Sequence, residues 1–100
     1  MHDIKQINYI KQLNEFYSIL DYKPLSSNAI SLYGFLLHVA NKTGWLNEFR
    51  VANTTIMSKC KLNQSALQRA RMELINNGYI KYKKGSNQNE MPRYSLTILY

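Results

Sequence analysis

The stretch Asn53 to Tyr82, NTTIMSKCKLNQSALQRARMELINNGYIKY, decides the fold, because its signals read in order as a short helix, a tight turn, a longer helix and a strand. Asn63 has the side chain an N-cap needs, and Leu67, Ala70 and Leu74 recur at the spacing that puts them on one helical face. Gly78, after Asn76 and Asn77, suits a left-handed C-terminal cap, and Tyr79 to Lys83 then alternates as a strand does. The spacing therefore predicts a helix over 64–77. At about 100° per residue, Ser65, Gln68, Arg69, Met72 and Asn76 fall on the side opposite its apolar face. A shorter helix, Thr54 to Cys60, capped by Asn53 or Thr54, precedes it across the turn Lys61-Leu62-Asn63. This is the layout of a helix-turn-helix whose second helix is shaped to lie in a DNA major groove.

Downstream, strands Tyr79 to Lys83 and Arg93 to Leu99 are joined by the polar run Lys84 to Pro92, which predicts a β-hairpin wing. Upstream, Trp45 to Ala52 contains Phe49, Arg50 and Val51, a short strand. Before it a helix capped by Ser26 or Ser27 carries Ile30, Tyr33, Phe35, Leu36, Leu37, Val39 and Ala40, and Gly44 stops it. So wide an apolar stripe predicts contact on two sides, with the helix-turn-helix on one and the N-terminal helix or a second subunit on the other. Asp21-Tyr22-Lys23-Pro24 is a connector, and Ile4, Ile7, Ile10, Leu13, Tyr17 and Leu20 mark residues 4–21 as an amphipathic helix. The predicted fold is mainly α with a small β-hairpin wing: a winged helix-turn-helix with an extra N-terminal helix, one domain over residues 1–100. Ending in or just after a strand, the chain reads as the N-terminal part of a longer protein.

Composition agrees with one ordered domain, since 100 residues hold a single core and 45% of them are hydrophobic. Charge is divided unevenly. Residues 1–49 hold four Lys and four acids, whereas residues 50–100 hold nine Lys or Arg against Glu73 and Glu90, which places the whole net charge of +7 beside the helix-turn-helix. Such a surplus points to a polyanion, because Lys and Arg gain by displacing counterions from a phosphate backbone. Cys60, the single cysteine, is read as a small core residue and builds neither a disulfide framework nor a zinc site. The absence of a long apolar run or signal peptide predicts a cytoplasmic protein with no membrane contact, in which the sequons at Asn41, Asn53 and Asn63 carry no weight.

Gln68 and Arg69 are the candidate base readers, since Gln pairs with adenine and Arg with guanine in the major groove, and Met72 shares their face. Gln64 and Ser65, at the helix N-terminus, suit phosphate, where free backbone N–H groups favour an anion. Lys61 in the turn and Lys81, Lys83, Lys84 and Arg93 on the wing complete the candidate DNA-binding set. Arg71 falls close to the buried stripe and is expected to pack its stem while its head pairs with an acid such as Glu48. Trp45 and the tyrosines are expected in the core rather than stacked on bases. With His2 and His38 lacking partners, and with no phosphate loop, metal-ligand cluster or paired carboxylates, no enzyme activity, metal or cofactor is expected.

Certain residues resemble those of a known family: Pro24-Leu25-Ser26-Ser27-Asn28-Ala29-Ile30, Asn41-Lys42 with Gly44-Trp45 and Phe49, and Leu67-Gln68-Arg69-Ala70-Arg71 followed by Leu74, Gly78, Ile80 and Tyr82. Over roughly residues 8–98 the chain resembles the N-terminal winged-helix domains of DnaD-like replication initiation proteins of Gram-positive bacteria, their phages and mobile elements. The resemblance implies origin binding to double-stranded DNA, a homodimer, and recruitment of a helicase loader or helicase. This sequence lacks the family's C-terminal DNA-binding domain, so recruitment would run through a region outside it. A winged-helix transcriptional regulator and an oligomerisation module without direct DNA reading are the competing functions.

Overall fold

Among the described residues, three of the four helices begin where a side chain takes over an amide that the helix itself cannot satisfy. Asn8 Oδ1 accepts from the Lys11 amide (3.0 Å), Ser26 Oγ from Ala29 (3.1 Å) and Asn63 Oδ1 from Ala66 (2.8 Å). They open α1 (Tyr9–Ile19), α2 (Ser27–Lys42) and α4 (Gln64–Asn76) in a computed structural model that describes residues 8–87 and 89–100. The exception is α3 (Asn53–Cys60), whose N-cap is Ala52 with no side-chain bond, against the expectation of Asn53 or Thr54. Asn53 does not cap because its amide oxygen accepts from Arg71 instead. Gly44 and Gly78, both at φ +80°, end α2 and α4 in the left-handed region that only glycine enters freely. Lys61 ends α3 in the same region (φ 57°, ψ 46°) without that freedom.

The core is built around α2. Ala29, Leu32, Tyr33, Leu36, Leu37 and Ala40 are all buried, and α3 and α4 pack against α2 with Ile56, Leu67, Ala70 and Leu74. The other side of α2 is covered by α1 of the same chain, where Phe16 stacks on Tyr33 with ring centroids 4.0 Å apart. The face of α1 differs from the sequence expectation. Ile10 and Tyr17 are 67% and 53% exposed, while Gln12 is fully buried with Phe16. Gln12 turns inward because all its polar atoms are satisfied there: Nε2 donates to Tyr33 OH and to the Thr97 carbonyl (both 2.8 Å), and Oε1 accepts from the Leu99 amide (3.1 Å). The first residues expected in this helix, including Ile4 and Ile7, lie outside the described residues, as does His2.

Three strands, β1 (Phe49–Arg50), β2 (Ile80–Lys83) and β3 (Arg93–Leu96), form an antiparallel sheet in the order β1-β3-β2. Phe49 pairs with Tyr94, and Tyr82 faces Tyr94 from the other side. The last strand stops at Leu96 rather than Leu99: the Thr97 amide still donates to the Tyr79 carbonyl, but the Thr97 carbonyl and the Leu99 amide bond to Gln12 instead of a neighbouring strand. The result is a winged helix-turn-helix, α3-turn-α4 followed by the β2–β3 hairpin, with α1 added in front.

Candidate nucleic-acid interface

The sequence of α4 alternates so that one arc is buried and the rest is available. Leu67, Ala70, Arg71 and Leu74 face inward, and Gln64, Ser65, Gln68, Arg69 and Met72 are exposed together. Met72 is 54% exposed although apolar. One turn separates Ser65 from Arg69, and Arg69 Nη1 donates to Ser65 Oγ at 2.7 Å, which lays the guanidinium along the outer face of the helix. With Asn63 serving the Ala66 amide, the N–H groups of Gln64 and Ser65 have no acceptor within the helix and stand at its positive end.

On the wing, strand alternation sorts the cations. Ile80 is buried and Tyr82 half-buried toward the helices, so Lys81 and Lys83 lie on the opposite face of the sheet, across from Ser95 and Arg93. On that outer face Arg93 is held by Glu90 (3.5 Å) and Glu48 (3.8 Å), and Arg50 also meets Glu90 (3.6 Å). Lys84 instead lines the groove between the wing and α4. Thus the wing residues expected to act together divide: Lys84 beside α4, Lys81 and Lys83 behind it, and Arg93 already neutralised by two carboxylates. From residue 50 onward, Lys59, Lys61, Arg69, Arg71, Lys81, Lys83 and Lys84 have no ion pair among the described residues.

The wing loop is itself organised by Glu90. Its Oε1 accepts from the Ser86 hydroxyl (2.6 Å) and the Ser86 amide (2.7 Å), which, with smaller help from Arg50 and Arg93, hold the carboxyl down to about 2. Gly85 is required for this closure, since a Cβ there would collide with the carbonyl of Glu90.

Arg71 corrects the sequence expectation. Its partner is not Glu48, which bonds Arg93, but a polar and aromatic cradle. Nη1 donates to Tyr94 OH (2.8 Å) and Asn53 Oδ1 (3.0 Å), and the guanidinium lies 4.3 Å from the centroid of the Tyr82 ring. This joins α4 to α3, β2 and β3. The signal in the sequence was an arginine inside the buried arc of a helix followed by one tyrosine on each of the two wing strands, Tyr82 and Tyr94.

Trp45, Tyr33, Tyr79 and Tyr94 are buried, as the core reading expects, whereas Tyr9, Tyr17, Tyr22 and Tyr100 are exposed against it, and His38 is exposed beside Phe35. Cys60 is half-buried next to the Ser31 carbonyl, and burial pushes its thiol up, away from reactivity. Among the described residues there is no group of three or more His, Cys, Asp or Glu that would hold a metal, and no helix is long and apolar enough to cross a membrane.

No protein-family model matches the chain, and no curated protein matches it in sequence. A solved structure described as "Structure of Rep-DNA complex" does match in three dimensions, with a TM-score of 0.62 over 96% of this chain and 75% of that one at 19% identity. The likeness is one of fold.

Proposed function

We propose that this chain is the double-stranded DNA-binding domain of a replication initiation protein, with α4 in the major groove and the wing along the backbone. The observation that carries the reading is the single exposed face of Gln64, Ser65, Gln68, Arg69 and Met72, bordered by Lys61 and Lys84 and set on a fold whose solved neighbour is a complex with DNA. The assignment to replication, and to the DnaD-like group, rests on the residue resemblance together with that neighbour. Under this reading the domain works as a homodimer at an origin in the cytoplasm, performs no catalysis, and helps bring in a helicase loader or helicase through a region outside this sequence. Exposed Ile10 and Tyr17 on α1 supply apolar surface for self-association. Repeated selection from a random duplex pool tests the reading. Enrichment of paired half-sites in a consistent orientation is expected, and a pool that stays random, or enriches only as single strands, overturns it.

A further inference from the structure

The groove between α4 and the wing has an open volume of about 550 Å³, and its walls include Asn53, Gln64, Gln68, Lys84 and Asn89. At its base lies Arg71, only 8% exposed. Burying a permanent cation is costly unless an anion meets it, yet no carboxylate pairs with Arg71 among the described residues. Glu90, on the same groove, is turned to Ser86, Arg50 and Arg93. Both hydrogen bonds of Arg71 leave from Nη1, so Nε and Nη2 have no protein acceptor among the described residues. Neither nitrogen is shut off from water, since among the described residues the one buried side-chain polar atom without a partner is Tyr79 OH. The guanidinium is thus fixed by Tyr94, Asn53 and the face of Tyr82 at the lining of the groove, with two nitrogens unpartnered and no counter-ion among the described residues.

We propose that this groove is a phosphodiester site, in which one backbone phosphate of the bound duplex enters between α4 and the wing. Nε and Nη2 of Arg71 donate to its two non-bridging oxygens, and Lys84 stands at the rim. The inference rests on the duplex-binding reading and adds the receptor to it. Arg71 then couples the recognition helix and the wing to the same phosphate.

The test uses duplexes from the selection in which one phosphate at a time is replaced by an uncharged methylphosphonate, with affinity read by fluorescence anisotropy across a salt series. In the parent, one replacement per half-site lowers affinity about tenfold. Arg71→Lys and Arg71→Gln, each with its melting temperature measured, are expected to lose that sensitivity, and Arg71→Gln to flatten the log–log salt slope by about 0.9. Variants that stay as sensitive as the parent at every position overturn the proposal and leave Arg71 as a strut. For the parent protein itself, the Arg71 Nε–H resonance should shift with duplex and not with inorganic phosphate at the same concentration. An unmoved resonance in the presence of bound duplex overturns it, and an equal shift with inorganic phosphate replaces DNA by a free anion. A parent that binds no duplex at all fails at the earlier step, the duplex reading itself.

Discussion

Under the proposed reading, sequence discrimination turns on Arg69. It leans on Ser65 from the outer face of α4, so removing it would take away the proposed base-reading fork without opening the core. Arg69→Ala is expected to cost about 1–3 kcal/mol on the selected site and much less on random duplex. Stability should change by no more than about 0.5 kcal/mol. Anisotropy on both duplexes, with a melting curve beside it, checks this. A double variant with Gln68→Ala that melts like the parent and still discriminates its site would remove α4 as the reader. At this scale the apolar positions and caps were legible: Asn63, Leu67, Ala70, Leu74 and Gly78 stand where periodicity placed them. The burial of Gln12 was not, and for Arg71 the inward position was legible but its partners were not. A helical periodicity treats a polar side chain such as Gln12 as outward and cannot name partners far along the chain, which are Tyr33, Thr97 and Leu99 for Gln12 and Asn53, Tyr82 and Tyr94 for Arg71.

At the scale of elements, the wing makes two separable predictions. Lys84 lies on the side of α4 and Lys83 on the outer face, so their alanine variants should differ. Lys84→Ala should flatten the salt slope of duplex binding by about 0.9, and Lys83→Ala by clearly less. Equal effects would mean that the duplex wraps the outer face of the sheet as well. The second concerns acid. Ser86 above all, by its hydroxyl and then its amide, draws the Glu90 carboxyl from an ordinary 4.5 to about 2. A lowered pKa means that the loop's closure is fully supported above 4.5 and is lost as pH falls toward 2. Amide resonances of Ser86 and Asn87 should therefore move with a midpoint well below 4.5, and Glu90→Gln should abolish that titration. A midpoint at the ordinary value would show that the Ser86 contacts do not persist. The wing was visible in the sequence as two strands and a polar joint. The division of its cations was not, because register decides which side each lysine takes.

For the whole molecule, α2 is enclosed by its own chain, with α3 and α4 on one side and α1 on the other, so a partner cannot use its apolar stripe. Under the proposed reading, self-association runs through the exposed Ile10 and Tyr17 of α1. Light scattering at tens of micromolar should give about twice the 11.7 kDa chain mass, and Ile10→Asp with Tyr17→Asp should return it to the monomer value. A parent that already weighs as a monomer removes the dimer. The sequence left these two coverings of α2 open because a stripe tells how much surface must be hidden and not by which chain. One further consequence follows from Gln12, which bonds Thr97 and Leu99 across sequence separations of 85 and 87. Closing so long a loop is entropically unfavourable until the rest of the molecule has condensed, so this clasp should form after the rate-limiting barrier to folding. Gln12→Leu, which strands Tyr33 OH and the Leu99 amide, should lose about 1–3 kcal/mol. In stopped-flow chevrons that loss should appear almost wholly as faster unfolding, with the refolding limb nearly unmoved. A refolding rate that falls in proportion would place the joining of the two ends among the earliest events, and the clasp would be a nucleus rather than a lock.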